Sequence, residues 1–157
     1  MLSVSGLGET LPREDYADAS DMVARAKKAI LLVAGVAALK YGPKLEQEQE
    51  VLAWVADMVS ETFATESAVL RARKLQAAGK DSPMFRAMVD VLMVRLNQQL
   101  LAKGTEALSH MSEGDDLRMQ LSGMKRFTKL ADPIDSATAR RTIAKLLVAA
   151  GKYEMSA

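Results

Sequence analysis

The acidic residues between positions 46 and 66 are the side chains best suited to chemistry. They are Glu46, Glu48, Glu50, Asp57, Glu61 and Glu66. Carboxylates in a helical bundle hold a di-metal centre when Glu-x-x-His motifs on two other helices complete the ligand set. The chain has a single histidine, His110, with Ala107 three residues before it, and no cysteine. These counts exclude a multi-histidine or thiolate metal site and thiol catalysis.

Glu66 stands out because it lies on an apolar stripe, at helical spacing from Val59, Phe63 and Leu70. A buried carboxylate without a partner is costly. We therefore predict that Glu66 is partly buried and paired with a basic side chain from the fourth or fifth helix. The candidates are Arg126, Arg140 and Arg141. A catalytic acid is the alternative on the same grounds, but structural pairing is the favoured interpretation.

Other constellations carry less chemistry. Gly6-Leu7-Gly8 lacks the third glycine and the preceding strand of a dinucleotide fingerprint, so a flexible linker is the better interpretation. The net charge of +1 gives no global reason to bind nucleic acid. Trp54, beside the apolar stripe, is either an exposed anchor for a partner or a packed residue at the rim of the core.

The elements that position these residues are predicted to be helices. The 157 residues are 49% apolar and only 4% aromatic, a mixture that favours one helical domain. Residues 1–16 are predicted to be a flexible tail or linker and residues 17–157 a helical bundle domain. The predicted fold is all-α, an up-down bundle of about five helices without a β-sheet, because the connections are short.

Turn and cap residues predict where the helices begin and end. The first starts at a cap provided by Asp18, Ser20 or Asp21 and stops at Gly42-Pro43. The others are expected over 44–78, from Pro83 to about 110, over 115–129, and from a cap at Asp135 or Ser136 to Gly151. Gly35, inside the first helix, is interpreted as a position where another helix approaches closely.

One apolar stripe predicts which side of the second helix is buried. It consists of Leu45, Leu52, Val55, Val59, Phe63 and Leu70, and is widened by Val51, Met58 and Thr62. Such a stripe, recurring at intervals of three and four residues, is typical of the buried side of a helix.

The apolar run from Ala29 to Leu39 predicts a docking surface. Its 11 residues are too few to span a membrane, which takes roughly 20. The first helix is apolar on nearly all sides there, more than one bundle face needs, and a large exposed apolar surface marks an interface. The candidate docking residues are Ile30, Leu31, Leu32, Val36 and Trp54. A membrane-surface helix with Lys27 and Lys28 is a weaker alternative, and the absence of targeting signals points to the cytoplasm.

Two segments make the chain resemble a known family. They run from Leu31 to Leu75, including QEQEVLAWVADM and ESAVLRA, and from Gly114 to Tyr153, including RFTKLADPIDSATARRTIA. Their order and spacing resemble the extra C-terminal helical domain of acyl-CoA dehydrogenases of the very-long-chain type, including bacterial relatives. The resemblance covers about residues 20 to 155.

The resemblance implies a function that belongs to a longer polypeptide. The full enzymes have an FAD-binding core whose catalytic glutamate removes the α-proton of an acyl-CoA thioester, and nothing in this chain resembles that core. No catalytic, cofactor-binding or metal residue is carried over. The implied role is docking and oligomer assembly, with the dehydrogenase core of the same or a partner polypeptide as partner and a homo-oligomer as product. The alternative is a free-standing helical-bundle adaptor or scaffold without enzymatic activity.

Overall fold

The structure, a computed structural model, describes residues 16–151, and these form five α-helices. They are α1 (Ala17–Tyr41), α2 (Gln49–Ala77), α3 (Pro83–Met111), α4 (Gly114–Thr128) and α5 (Ser136–Ala150), with a short 3-10 helix, Gly42–Gln47, between α1 and α2. Residues 16–151 contain no strand, and the predicted all-α bundle is confirmed. The predicted linker lies outside the described residues except for Tyr16, which is buried rather than part of a tail.

Most helix ends lie where local chemistry predicts them. The Ser82 hydroxyl accepts a hydrogen bond from the backbone N–H of Met84, and the Asp135 carboxylate accepts bonds from Ala137 and Thr138. The Thr138 side chain and backbone bonds hold the pKa of Asp135 below its usual value. Gly42 and Gly151 end their helices with φ of 51° and 64°, in the region that glycine adopts at little cost.

The predicted cap of the first helix is wrong. The helix begins at Ala17, behind Tyr16, which has φ 55°, so the three candidate caps lie inside it. Asp18 is drawn into an ion pair with Arg86 of α3 instead. The contact with a distant helix therefore outweighs the local preference of aspartate for the cap position.

The central helix is α3, which packs against α1, α2, α4 and α5. Two side-chain contacts fix the register of α1 against α2: Ser20 contacts Arg73, and Lys27 contacts Glu66. From the first contact to the second, the residue number rises by seven along α1 and falls by seven along α2. The helices α1 and α2 therefore run antiparallel, as short connections require.

The prediction of which side of α2 is buried is only partly right. Leu45 and Val55 pack against the core, but Leu52, Val59, Phe63 and Leu70 are exposed. The buried residues are Val51, Met58, Thr62, Thr65, Val69, Ala72 and Leu75. The inner side of the helix thus consists of the three residues expected only to widen the stripe and four residues outside the predicted stripe.

Buried threonines explain why the pattern of apolar residues does not identify the buried side of α2. The hydroxyl of Thr62 donates to the carbonyl of Met58 at 2.8 Å, and that of Thr65 donates to Glu61 at 2.9 Å. A hydroxyl satisfied four residues back along its own helix can be buried without a distant partner. Threonine is therefore tolerated inside, and a count of apolar residues underestimates the inner side of α2.

Gly35 is not a point of close approach, contrary to the sequence prediction. A β-carbon built there meets no atom within 4 Å, so this half-buried position has room for a side chain. The close approach occurs at Gly104 of α3, where a β-carbon would overlap the Cε of the buried Met124 of α4.

We expect Gly35→Ala to raise the free energy of unfolding by about 0.5–1 kcal/mol, because glycine inside a helix loses more backbone entropy on folding than alanine. Urea titration followed by circular dichroism measures the change. Gly104→Ala is the matched control. It brings the same gain in backbone entropy, but its β-carbon overlaps Met124, so no net stabilisation is expected. Destabilisation by Gly35→Ala would contradict the prediction, because it would mean that another part of the chain fills the space beside Gly35.

Candidate functional site

Glu66 is paired, but not with a predicted partner. Its Oε1 lies 2.7 Å from Nζ of Lys27, and its side chain is 34% exposed. Arg126, Arg140 and Arg141 are exposed residues on α4 and α5, and neither of these helices contacts α2. The partner comes from α1 because α1 is the helix that packs beside this edge of α2. A surface ion pair of this kind holds two helices in register and contributes little else.

The predicted docking residues of α1 divide into exposed and covered ones. Leu31 is 70% exposed, whereas Ile30, Leu32 and Val36 are half-buried and pack against the core. They are covered because α4 lies along one side of α1: a β-carbon at Gly123 would be 3.3 Å from Leu32. Most of the surface predicted for docking is thus used within the domain.

Trp54 is a packed rim residue rather than an exposed anchor. It is half-buried and packs against the core. Its ring meets that of His110 edge-on, with centroids 5.9 Å apart and an interplanar angle of 67°. This geometry is favourable for aromatic rings and ties the start of α2 to the end of α3.

The largest exposed apolar side chains near Leu31 are those that the sequence places in the core. Phe63 is 70% exposed, and Leu52, Val59 and Leu70 of the same helix are also exposed. The Lys27–Glu66 contact puts Leu31 level with Phe63 across the two antiparallel helices. We call this surface, formed by Leu31, Leu52, Val59, Phe63 and Leu70, the outer α1–α2 face.

A second cluster, which the sequence does not reveal, joins the start of α1 to α3. Arg86 donates to both carboxylate oxygens of Asp18, at 3.2 and 2.6 Å, and to Asp90 at 3.1 Å. Its guanidinium lies 5.2 Å from the centroid of the Tyr16 ring. The Tyr16 hydroxyl donates to Asp81 at 3.3 Å. We call this cluster the Arg86 clasp.

The protonation of the clasp suits a structural role. Burial, with the nearby Asp81 carboxylate, raises the pKa of Tyr16 to about 12. Burial works to lower the pKa of Arg86, but the Asp18 hydrogen bond and the Asp90 charge raise it. A neutral phenol and a permanent cation neither take nor give a proton near neutral pH. The hydrogen bonds of Arg86 to Asp18 and Asp90 hold the start of α1 against α3.

The described residues show no cluster of metal ligands, and the two cavities described among them are small. No group of three or more histidine, cysteine or acidic residues among them could hold a metal ion. Two surface cavities have volumes of ≈ 40 and ≈ 50 Å³, whereas ligand pockets measure about 300–1,000 Å³. Neither cavity can accept a flavin. None of the helices between residues 16 and 151 is long and apolar enough to cross a membrane.

These features define an all-α bundle whose notable surface is an exposed apolar face. Comparison with known proteins identifies the bundle. Residues 25–126 match the family described as the C-terminal domain of acyl-CoA dehydrogenase. A probable acyl-CoA dehydrogenase of Bacillus subtilis is 38% identical over 134 residues, which are 84% of this chain and 22% of the relative.

A solved structure shows the same fold. The crystal structure of an acyl-CoA dehydrogenase from Bacillus anthracis, complexed with FAD, matches with a TM-score of 0.85 and 34% identity. The match covers 90% of this chain and 25% of that one. The chain belongs to the acyl-CoA dehydrogenase C-terminal domain family, and it spans about a quarter of the length of these relatives.

Proposed function

We propose that this chain is the non-catalytic C-terminal helical domain of an FAD-dependent acyl-CoA dehydrogenase of the very-long-chain type. In this proposal the dehydrogenase portion binds FAD and performs the α,β-dehydrogenation of acyl-CoA. The bundle docks on that portion and supports assembly of a homo-oligomeric, cytoplasmic enzyme. Residues before Tyr16 serve as the linker in this arrangement.

The observation that carries the proposal is the match to two dehydrogenases, over 84% and 90% of this chain. The small cavities and the paired state of Glu66 support a non-catalytic role, because acid–base catalysis needs a group positioned in a pocket. The very-long-chain type is favoured by the resemblance of the segments 31–75 and 114–153 to that branch.

A chimera tests this function. This chain replaces the matching 134 residues of the Bacillus subtilis relative, and a second version of the relative simply lacks them. We expect the chimera to be soluble, yellow with bound flavin and reduced by acyl-CoA, and the shortened enzyme to lose most of its soluble, flavin-loaded form, because its docking surface is bare.

Two outcomes contradict the proposal. One is a chimera as poorly loaded with flavin as the shortened enzyme, which would favour the free-standing adaptor. The other is flavin binding or acyl-CoA oxidation by the 157-residue chain alone.

A further inference from the structure

We propose that the outer α1–α2 face is the surface by which the bundle docks, and that its occupant is an apolar surface of the dehydrogenase portion of the same polypeptide. The inference rests on the proposed function and adds the face and the kind of partner. The sequence predicts docking through Ile30, Leu31, Leu32, Val36 and Trp54, and of these only Leu31 belongs to the proposed face.

The chemistry of the face is unusual for a solvent-exposed helix, which normally carries charged residues outward. The exposed outward positions of α2 from 52 to 67 carry no charge: they are Leu52, Ala53, Ala56, Val59, Ser60, Phe63, Ala64 and Ser67. The nearest acid is Glu66, which lies at the α1 edge of the face in its ion pair with Lys27. Asp57 lies on the opposite flank, beside Lys103 of α3. An uncharged strip along several turns indicates a surface that is desolvated in the assembled protein.

The shape of the face suits a close-packed partner. The α2 side is a ridge of large side chains, with Phe63 as the most exposed. The α1 side is low after Leu31, where Gly35 has no side chain and Ala38 is exposed, and it carries the exposed Lys27 and Lys28 one turn before Leu31. Small residues let another element approach closely, and a ridge beside a groove fixes its angle.

The size of the face fits an interface between domains. The five apolar residues that define it are 39–70% exposed. Together they expose roughly 500 Å², comparable with the largest apolar patch of a typical monomer, which is often functional. With an equal area from the partner, roughly 1,000 Å² is buried, within the range of about 600–1,500 Å² for interfaces between domains of one chain.

Covalent linkage favours the dehydrogenase portion over a second copy as the occupant. The matched relatives devote about three quarters of their length to other segments. A tethered partner has a millimolar effective concentration, whereas a second copy pays the full cost of association, about 4 kcal/mol or more. A face of this modest area is therefore covered first by the attached domain.

Thiol labelling tests the inference, and the absence of cysteine from this chain gives it a clean background. Ser60→Cys places a thiol on the face, and Ala149→Cys places one on an exposed position of α5. Alkylation is measured by peptide mass spectrometry in the 157-residue chain and in the flavin-loaded chimera. At Ser60→Cys we expect alkylation to be roughly tenfold slower in the chimera, because interface cores exclude water, and at Ala149→Cys to be unchanged.

Phe63→Glu provides a second measurement. Phe63 and Val148 are both largely exposed, so Phe63→Glu and its matched control Val148→Glu are expected to leave the folding of the isolated chain intact. In the chimera, Phe63→Glu restores fast alkylation at Ser60→Cys, and Val148→Glu does not.

Three results overturn the inference, and each differs from the others. Equal alkylation at Ser60→Cys in the chain and in a flavin-loaded chimera rejects the face and leaves the proposed function standing. If Ser60→Cys is alkylated slowly already in the isolated chain, and this chain forms a dimer that Phe63→Glu dissociates, the face is covered by a second copy. A chimera without flavin rejects the proposed function and the inference together.

Discussion

Leu100→Ala should lower the free energy of unfolding of the isolated chain by about 3 kcal/mol, because a buried leucine cut to alanine loses its transfer energy and leaves a cavity. Leu100 is 0% exposed and belongs to the core cluster at the centre of the bundle. Its helix contacts all four of the others, so no single helix can move to fill the space. The melting temperature falls by roughly 10 °C for a domain of this size.

The next residue is a matched control for this substitution. Leu101, of the same type and in the same helix, is 38% exposed. Leu101→Ala should cost less than about 1 kcal/mol, since water already reaches the side chain and little cavity forms. Guanidinium denaturation followed by circular dichroism gives both values. Equal losses at the two positions would mean that α3 is not the centre of the core.

Arg86→Met should destabilise the isolated chain by about 2 kcal/mol. The substitution keeps most of the side-chain volume but leaves the carboxylates of Asp18 and Asp90 side by side without their shared cation. Removing one partner of a fully buried ion pair costs about 3–5 kcal/mol. The three side chains here keep 19–27% of their surface exposed, and solvent screening lowers the figure.

Arg95 is the control that represents an ordinary surface ion pair. It lies on the same helix and donates to Glu61 at 2.6 Å, but its side chain is 60% exposed. Arg95→Met should change stability by less than about 0.5 kcal/mol. Removing Arg86 should raise the pKa of the Tyr16 hydroxyl further, because the Arg86 charge works to lower it, while burial remains the main cause of the raised value. If the two arginine variants unfold alike, the clasp has no special role.

The sequence predicted the number and type of helices, and placed most of their ends, because those signals are local. Ser82 and Asp135 satisfy backbone groups two or three residues away, and Gly42 and Gly151 supply turns that other residues adopt at a cost. The family resemblance also came from the sequence, since it depends on the order and spacing of motifs. None of these features requires knowledge of which helices touch.

The tertiary structure alone decided which side of α2 is buried and which partners Glu66 and Asp18 meet. The α2 helix carries two adjacent apolar stripes, one with Met58 and one with Phe63. A periodic pattern cannot choose between them, because the choice depends on where α1 and α3 lie. The pairing of Glu66 with Lys27 and of Asp18 with Arg86 has the same origin. Side chains that are 39 and 68 residues apart meet only once the helices have packed.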